Sequence, residues 1–163
     1  MKYHNLVRDF ATRTLKNLEA IENAVRRDGE AELYEVTQLI NSMLGLLVFP
    51  EQKYLNNVPR TSLGELRSQG WRVPEMKGTP PHADNLRELV RCLRNGISHF
   101  NIEFTSDGHV LTGIKIWTCK TDSQGGYVKE RGHRVREWEA QFGLSELREI
   151  AHKFVAMLLD VRG

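Results

Sequence analysis

The feature that most constrains the fold of this chain is a change of hydrophobic period near residue 100. Apolar residues between Leu86 and Phe100 recur three or four positions apart, and on a helical wheel they fall within about 60° of the first of them. From Ile102 to Cys119 apolar and polar residues alternate instead, around the tetrapeptide SDGH. The first spacing is typical of an amphipathic helix, and alternation around Asp-Gly is typical of a β-hairpin. The sequence therefore predicts a helix that leads directly into a hairpin.

Other segments also have the pattern of helices. The N-terminal segment has apolar residues at helical spacing as far as RRDG, and a second such segment runs from about Ala31 to Phe49, where Pro50 ends it. Because a short Gly-containing turn separates these two helices, we expect an antiparallel helical hairpin. The tetrapeptide SLGE has capping-box spacing and predicts a short helix through about Gln69. Asp84 or Asn85 is predicted to be the N-cap of the helix before residue 100, and Ser145 is predicted to be the N-cap of a final helix.

The alternating region predicts how its side chains divide between the two faces of a sheet. One face is expected to carry Ile114, Ile116 and Thr118, and the other Lys115, Trp117 and Cys119. Residues 133–142 are a candidate third strand. The predicted fold is mainly α: a bundle of about four to five helices, with a small antiparallel β-hairpin or three-stranded sheet inserted before the last helix. We expect a single domain over residues 1–163, with a structured insertion at 51–83 and the β-hairpin region at 101–142.

The composition excludes several classes of protein. A chain of 163 residues is long enough to bury a core without disulfides, and its two cysteines form no C-x-x-C pair, which favours a reducing cytosol. No window holds the roughly 18 uncharged apolar residues of a membrane span, and the N-terminus lacks the apolar region of a signal peptide. We therefore expect a cytoplasmic protein with no membrane partner. The net charge of +2 does not by itself indicate a nucleic-acid partner.

Sequence motifs for metals and cofactors are also missing. The histidines show no paired spacing such as H-x3-H, and no carboxylate cluster accompanies them. The chain has no phosphate-binding loop, dinucleotide-binding fingerprint or nucleophile elbow. We therefore expect neither a metal nor a cofactor.

The end of the motif helix, RNGISH, concentrates polar residues. The apolar stripe continues through Gly96, so this glycine is predicted to lie inside the helix, where the close approach of another helix or of a ligand would explain it. Its position on the wheel fits contact with another helix. Asn95 and His99 share one face at i, i+4 spacing, whereas Arg94 is roughly 140° from His99. In a straight helix, the side chains of Arg94 and His99 therefore do not contact the same group of a ligand. Either the helix distorts, or Arg94 reaches around, or the partner side chain comes from a second copy of the chain.

Two interpretations of this helix end stay open on the residues alone. Exposed helix faces usually carry charged side chains, and the helix dipole stabilises a histidine in the last turn. On this interpretation the segment is an ordinary helix end in an interaction domain. The other interpretation is an active site, because histidine transfers protons near neutral pH and arginine holds phosphate oxygens with its planar fork.

The motif and its context resemble the HEPN superfamily (higher eukaryote and prokaryote nucleotide-binding domains). The hallmark of that superfamily is R-x4-6-H near a helix end, often with Asn after the Arg, and RNGISH has the four-residue spacing with Asn. The N-terminal hairpin with SMLGLLVFPEQKYL, and the β-hairpin after the motif helix, look like a plasmid- and phage-associated HEPN subgroup. The resemblance covers most of the chain. It implies a metal-independent endoribonuclease that acts as a homodimer, as a toxin or antiviral effector.

The resemblance also implies roles for individual residues. His99 is the general acid or base, Arg94 holds the phosphate and Asn95 supports them, while Arg91 and Ser98 contact RNA. The expected products carry 2',3'-cyclic phosphate ends. Some HEPN proteins have lost activity, so a module that binds nucleotide, RNA or a protein partner, such as a nucleotidyltransferase, is the alternative. An antitoxin is a further possible partner.

A second basic cluster lies between Tyr127 and Trp138. Basic side chains interleaved with aromatic ones suit contact with the backbone and bases of single-stranded RNA. The candidate RNA-binding residues are Lys129, Arg131, Arg134 and Arg136. A solvated strand of alternating charges is the alternative interpretation of this segment.

Overall fold

The computed structural model describes residues 6–28, 35–48, 58–78, 83–108 and 110–160 of the chain. Within these ranges the chain forms five α-helices and six β-strands. The helices are α1 (Leu6–Asp28), α2 (Glu35–Val48), α3 (Leu63–Ser68), α4 (Leu86–Ser98) and α5 (Leu144–Asp160). The strands are β1 (Met76–Gly78), β2 (Ile102–Asp107), β3 (Val110–Cys119), β4 (Lys129–Glu130), β5 (His133–Arg134) and β6 (Arg136–Gly143).

Four of these strands form one antiparallel sheet in the order β1-β6-β3-β2. Strands β2 and β3 are the hairpin predicted around SDGH, with Asp107 opposite Val110. Strand β6 pairs with β3 on the other side, and β1 pairs with β6 at the edge. Strands β4 and β5 form a separate two-stranded hairpin between β3 and β6.

This architecture corrects the predicted fold class. The expectation of a mainly α bundle with a small hairpin or three-stranded sheet is wrong, because a four-stranded antiparallel sheet accompanies the five helices of the described residues. Strand β6 covers most of the candidate third strand. Strand β1 falls inside the predicted insertion at 51–83, where three residues are too few to show alternation. The fold is α+β, with helices on one face of an antiparallel sheet.

The core lies between this sheet and the helices. Helix α4 packs on β3 and α5 packs on β6 and β3, while α2 contacts both of these helices and α1 contacts α2 and α5. The sheet contributes fully buried side chains to this core, among them Ile114, Ile116 and Phe142. The opposite face is polar, and Lys115 pairs there with Glu103 at 3.8 Å. The predicted division is confirmed for Ile114, Ile116 and Thr118 on the core face and for Lys115 and Trp117 on the other. Cys119 lies at a register shift between β3 and β6 and lines a cavity beside α4.

Capping signals located two helix starts correctly and one incorrectly. Ser62 and Asn85 each accept a hydrogen bond from the backbone N–H three residues further on, at 3.2 and 3.1 Å, and begin α3 and α4. Ser145 is not the N-cap of α5, which begins one residue before it. Instead, the Glu146 carboxylate accepts a hydrogen bond from the Gly143 N–H at 2.8 Å. Strand β6 therefore continues directly into α5.

Several predicted features lie outside the described residues. These are the start of the second helix at Ala31, its end at Phe49 and Pro50, and part of the insertion at 51–83. The described part of the insertion, 58–78, contains α3 and β1. Trp71 packs there against the core, with the Lys153 ammonium 5.4 Å from its ring centroid.

Candidate active site

Helix α4 lies so close to the sheet that one of its positions has no room for a side chain. A Cβ at Gly96 would meet Ile116 Cγ2 at 2.3 Å and the Trp117 carbonyl oxygen at 3.0 Å. Gly96 therefore has the close neighbour that was predicted. That neighbour is strand β3, so the prediction of a contact with another helix is wrong. This contact fixes the height of the α4 C-terminus above the sheet, and with it the positions of the polar residues around Gly96.

Helix α4 ends in a Schellman motif. The N–H groups of Phe100 and Asn101 donate to the last turn at 3.0 and 2.8 Å. Phe100 occupies the position where glycine is usual, at φ +53, and the left-handed conformation costs an L-residue roughly 1–2 kcal/mol. Its side chain is 75% exposed. His99 is the C-cap just before this turn, and its backbone N–H donates to the Asn95 carbonyl at 3.1 Å.

A cavity of about 480 Å³ opens beside this helix end. One wall comes from α4, a second from the adjoining ends of β3 and β6, and a third from the loop between β3 and β4. Its volume is in the range of sites that bind small molecules, and polar side chains form most of its lining. Those side chains include Arg91, Asn95, His99, Thr118, Tyr127 and Glu137.

The α4 wall carries some of the predicted site residues and not others. Arg91, Asn95 and His99 are spaced four residues apart and all line the cavity. Arg94 is half-buried and does not line it, and Ser98 is exposed with its hydroxyl donating to the Arg94 carbonyl at 2.7 Å. The structure thus brings Asn95 and His99 together and leaves Arg94 on another face of the helix, as expected for a straight helix.

Tyr127 connects His99 to the β4–β5 hairpin. The Tyr127 and His99 rings meet edge to face, with centroids 6.5 Å apart and planes at 87°. The Arg134 guanidinium lies 4.0 Å from the Tyr127 ring centroid, a cation–π contact. Of the predicted basic cluster, Arg134 thus contacts a residue of the cavity lining, Tyr127, without lining the cavity itself.

The loop that carries Tyr127 is a defined turn. The Asp122 carboxylate accepts hydrogen bonds from the N–H groups of Gln124 and Gly126 at 2.9 and 2.8 Å. Thr121 and Tyr127 form an isolated β-bridge across this turn. Hydrogen bonds to the backbone therefore hold the backbone of Tyr127 in place beside the cavity.

The rest of the basic cluster is spread over two surfaces. Lys129 and Arg131 are exposed on the β4–β5 hairpin, and Arg131 lies in its turn at φ +50. Arg136 lies on the outer face of the sheet, where its guanidinium is 4.2 Å from the Trp117 ring centroid and pairs with the Glu139 carboxylate. These three residues do not line the cavity.

Several lining residues were missed by sequence reasoning, among them Glu137, Cys92 and Cys119. No sequence signal linked two cysteines so far apart. Burial is the main cause that raises the pKa of the Cys92 thiol to about 11; the Arg91 guanidinium lowers this pKa, and the Glu88 and Glu137 carboxylates raise it. The Cys92 thiol is therefore protonated at neutral pH and is not a nucleophile.

In the described ranges, no three His, Cys, Asp or Glu side chains gather as metal ligands. No helix in the same ranges has the length and apolar character to cross a membrane.

The helix that ends in Arg-Asn-x-x-x-His, the hallmark spacing of HEPN domains, thus lies along one wall of a polar cavity. Residues 1–162 match the family model described as HEPN pEK499 p136, and the chain belongs to this HEPN family. Searches among curated proteins and among solved structures found no match.

Proposed function

We propose that this protein is a metal-independent endoribonuclease of the HEPN type. The observation that carries the proposal is the polar stripe of Arg91, Asn95 and His99 along one wall of a cavity, in a chain that belongs to a HEPN family. The cavity wall thus carries a proton-transferring imidazole at His99 and, about two helical turns away, a phosphate-binding guanidinium at Arg91. Membership of the HEPN family supports RNA as the substrate.

Each motif residue has a role in this reaction. RNA cleavage without a metal requires that the 2'-hydroxyl lose a proton, that charge on the phosphorane be neutralised and that the leaving 5'-oxygen gain a proton. His99 transfers a proton as general acid or base, Arg94 neutralises the phosphorane and Asn95 supports His99. Arg91 and Ser98 contact the RNA. The products carry 2',3'-cyclic phosphate ends.

The position of Arg94 supports a homodimer. Arg94 does not line the cavity that Asn95 and His99 line, so within one chain it does not reach a phosphate held there. Two α4 helices related by a two-fold axis would place Arg94 of one copy beside His99 of the other. The proposed site is therefore composite, with its two essential groups supplied by different chains.

The enzyme is tested with labelled single-stranded RNA and purified protein in excess EDTA. Cleavage is expected to persist in EDTA and to fall at least about 100-fold in His99→Ala. The matched control is His152→Ala, since His152 lies on α5 outside the cavity lining. Equal cleavage by His99→Ala and wild type would assign the activity to a contaminant or to another site.

The composite site is tested by mixing two inactive variants. In a mixed dimer of Arg94→Ala and His99→Ala, one of the two sites combines an intact Arg94 with an intact His99. Random exchange of subunits should therefore restore about a quarter of the wild-type activity. If the mixture stays inactive while sedimentation shows dimers, both groups act within one chain.

By family resemblance, we further propose that the enzyme acts in the cytoplasm as a toxin or an antiviral effector, with an antitoxin as a possible partner. Growth arrest on expression of the wild type, but not of His99→Ala, is the expected outcome. Arrest by both would separate toxicity from RNA cleavage.

One observation favours a second candidate function, a catalytically inactive module that binds a nucleotide. The cavity has the volume of a small-molecule site and combines the Tyr127 ring with Arg91 and Asn95. Equilibrium dialysis with mononucleotides distinguishes the candidates, since this function predicts binding by a protein that leaves RNA intact.

A further inference from the structure

Cleavage of RNA through its 2'-hydroxyl needs two proton-transferring groups, and the motif helix supplies one. We propose that Glu137 is the second, the general base that takes the proton of the attacking 2'-hydroxyl while His99 protonates the leaving oxygen. This inference rests on the proposed ribonuclease function. It adds a residue of strand β6 to a site otherwise built on α4.

A β-bulge sets the direction of Glu137. Thr118 pairs with Trp138, and the next residue of β3, Cys119, pairs with Arg136, so Glu137 has no partner in the register of β3 and β6. In a regular strand, the neighbour of the inward-facing, fully buried Trp138 would point to the outer face of the sheet. Bulges leave one residue unpaired and redirect its side chain, often beside active sites. Glu137 lines the cavity instead.

The charge of Glu137 acts near the α4 wall. Burial is the main cause of the raised pKa of Cys92, and the Glu137 carboxylate adds to it, which places this carboxylate within electrostatic reach of Cys92. Cys92 and His99 are seven residues apart on the same face of α4, roughly 10 Å along its axis. The base and the acid of an in-line displacement stand on opposite sides of the phosphorus. Glu137, which acts on Cys92, and His99, two turns further along α4, face the same cavity from different positions, as this displacement requires.

Arg91 supplies the positive charge that such an arrangement requires, because a carboxylate and a phosphate repel each other. Its guanidinium lines the same cavity, pairs with Glu88 and lowers the pKa of Cys92. Arg91 and Glu137 thus line one cavity, and both act on the thiol of Cys92. Besides pairing with Glu88, Arg91 reduces the repulsion between the Glu137 carboxylate and a bound phosphate.

The proposed step balances in atoms and charge. The Glu137 carboxylate accepts the 2'-hydroxyl proton as the 2'-oxygen forms a bond to phosphorus. The bond between phosphorus and the 5'-oxygen breaks, and this oxygen takes a proton from the His99 imidazolium. The products are a 2',3'-cyclic phosphate and a 5'-hydroxyl, with Glu137 protonated and His99 neutral. Proton exchange with water restores both groups.

Glu137→Gln and Glu137→Ala test this role in the full-length protein. Gln keeps the shape and removes the charge, so matching thermal melts are expected, with RNA cleavage at least about 100-fold slower. Binding of an RNA with 2'-deoxy substitution at the cleaved position should stay within about twofold, because Glu137 acts on the missing hydroxyl. Added formate should accelerate Glu137→Ala and leave His99→Ala inactive, since formate replaces only the missing carboxylate.

The control is Glu139→Gln on the same strand, whose carboxylate pairs with Arg136 on the outer face. Cleavage by Glu137→Gln that equals the control, while His99→Ala is inactive, overturns this inference and leaves the ribonuclease standing. Loss of cleavage together with loss of binding and no rescue by formate also overturns it, because it marks a structural role. If the wild type cleaves no RNA, both proposals fail. Should Glu137→Gln not fold, Glu137→Asp decides: cleavage at the wild-type rate despite the shortened side chain overturns the inference.

Discussion

Helix α4 has one face against strand β3 and another along the cavity, and the two faces differ in how closely they are packed. On the first, Leu93 and Ile97 are almost fully buried, and Gly96 touches the strand so closely that a methyl group does not fit. On the second, Arg91 and His99 are exposed and Asn95 is half-buried. The packed face holds the open face in place. Substitutions on the packed face should therefore lower the free energy of unfolding, and substitutions on the open face should slow RNA cleavage.

Arg94 and Arg91 of α4 give the largest expected effect. Arg94→Ala should lower kcat about 100-fold, because it removes charge stabilisation from the phosphorane. Arg91→Ala should raise KM about tenfold, with kcat less affected, because it removes an RNA contact on the cavity face. Steady-state kinetics on one RNA substrate check both. A reversed pattern, with Arg94→Ala unimpaired, would put the essential phosphate ligand on the cavity wall and remove the need for a second chain.

Gly96→Ala tests the packed face. Because the new Cβ would lie 2.3 Å from the fully buried Ile116, we expect the free energy of unfolding to fall by about 2 kcal/mol, despite the better helix propensity of Ala. Urea denaturation measures this change. Gly64→Ala on α3 is the control, since its Cβ would meet nothing closer than 4.0 Å. Equal stability of Gly96→Ala and wild type would mean that α4 is free to move off the sheet.

Cys92 lies between the two faces of α4: it is buried, yet it lines the cavity. The pH dependence of the free energy of unfolding tests how well its thiol is shielded from water. Its pKa of about 11 is raised above the ordinary thiol value of 9.0, chiefly by burial, so the folded state binds this proton more tightly than the unfolded state does. The resulting stability is present below pH 9 and is lost as pH rises through 11. At pH 10 the loss is on the order of 1 kcal/mol.

Urea denaturation at pH 8 and pH 10 checks this expectation for wild type, Cys92→Ala and Cys119→Ala. The decrease in stability between the two pH values should be smaller in Cys92→Ala than in the other two proteins. The same decrease in all three would place the thiol of Cys92 in contact with water.

Phe100, just beyond the end of α4, gives the smallest expected effect. Phe100→Gly should stabilise the fold by about 0.5–1 kcal/mol, because glycine adopts φ +53 without strain, and the exposed ring contributes little burial. Phe100→Ala keeps the strained conformation and should show no such gain. Thermal unfolding of both variants separates strain from loss of the ring. Destabilisation by both would show that the ring makes a stabilising contact.

Local signals were enough to predict much of the secondary structure. The helical spacing before residue 100 and the alternation after it correspond to α4 and the β2–β3 hairpin, since both periods depend on which side chains face the core. Capping at Ser62 and Asn85 also depends on residues three positions apart. The cap at Ser145 was wrong, because pairing of β6 with β3 carries the strand up to the start of α5.

The pairing of distant segments was not predictable in the same way. Strand β1 is three residues long and exists because β6 offers it an edge to pair with. The helical wheel indicates that Gly96 has a close neighbour, but it does not show whether that neighbour is a helix or a strand. The predicted neighbour was a helix, whereas the structure has strand β3 there. Both outcomes depend on contacts between residues far apart in the sequence, which no local pattern records.

By itself, the sequence determined the motif helix, the faces on which Asn95, His99 and Arg94 lie, and the hairpin that follows, because these depend on periods of 3.6 and 2. Only the tertiary structure decided what stands opposite His99. The turn at Asp122 places Tyr127 there, and the bulge in β6 brings Glu137 to the same cavity. A one-residue offset between paired strands redirects a side chain, and such an offset arises only when the strands meet.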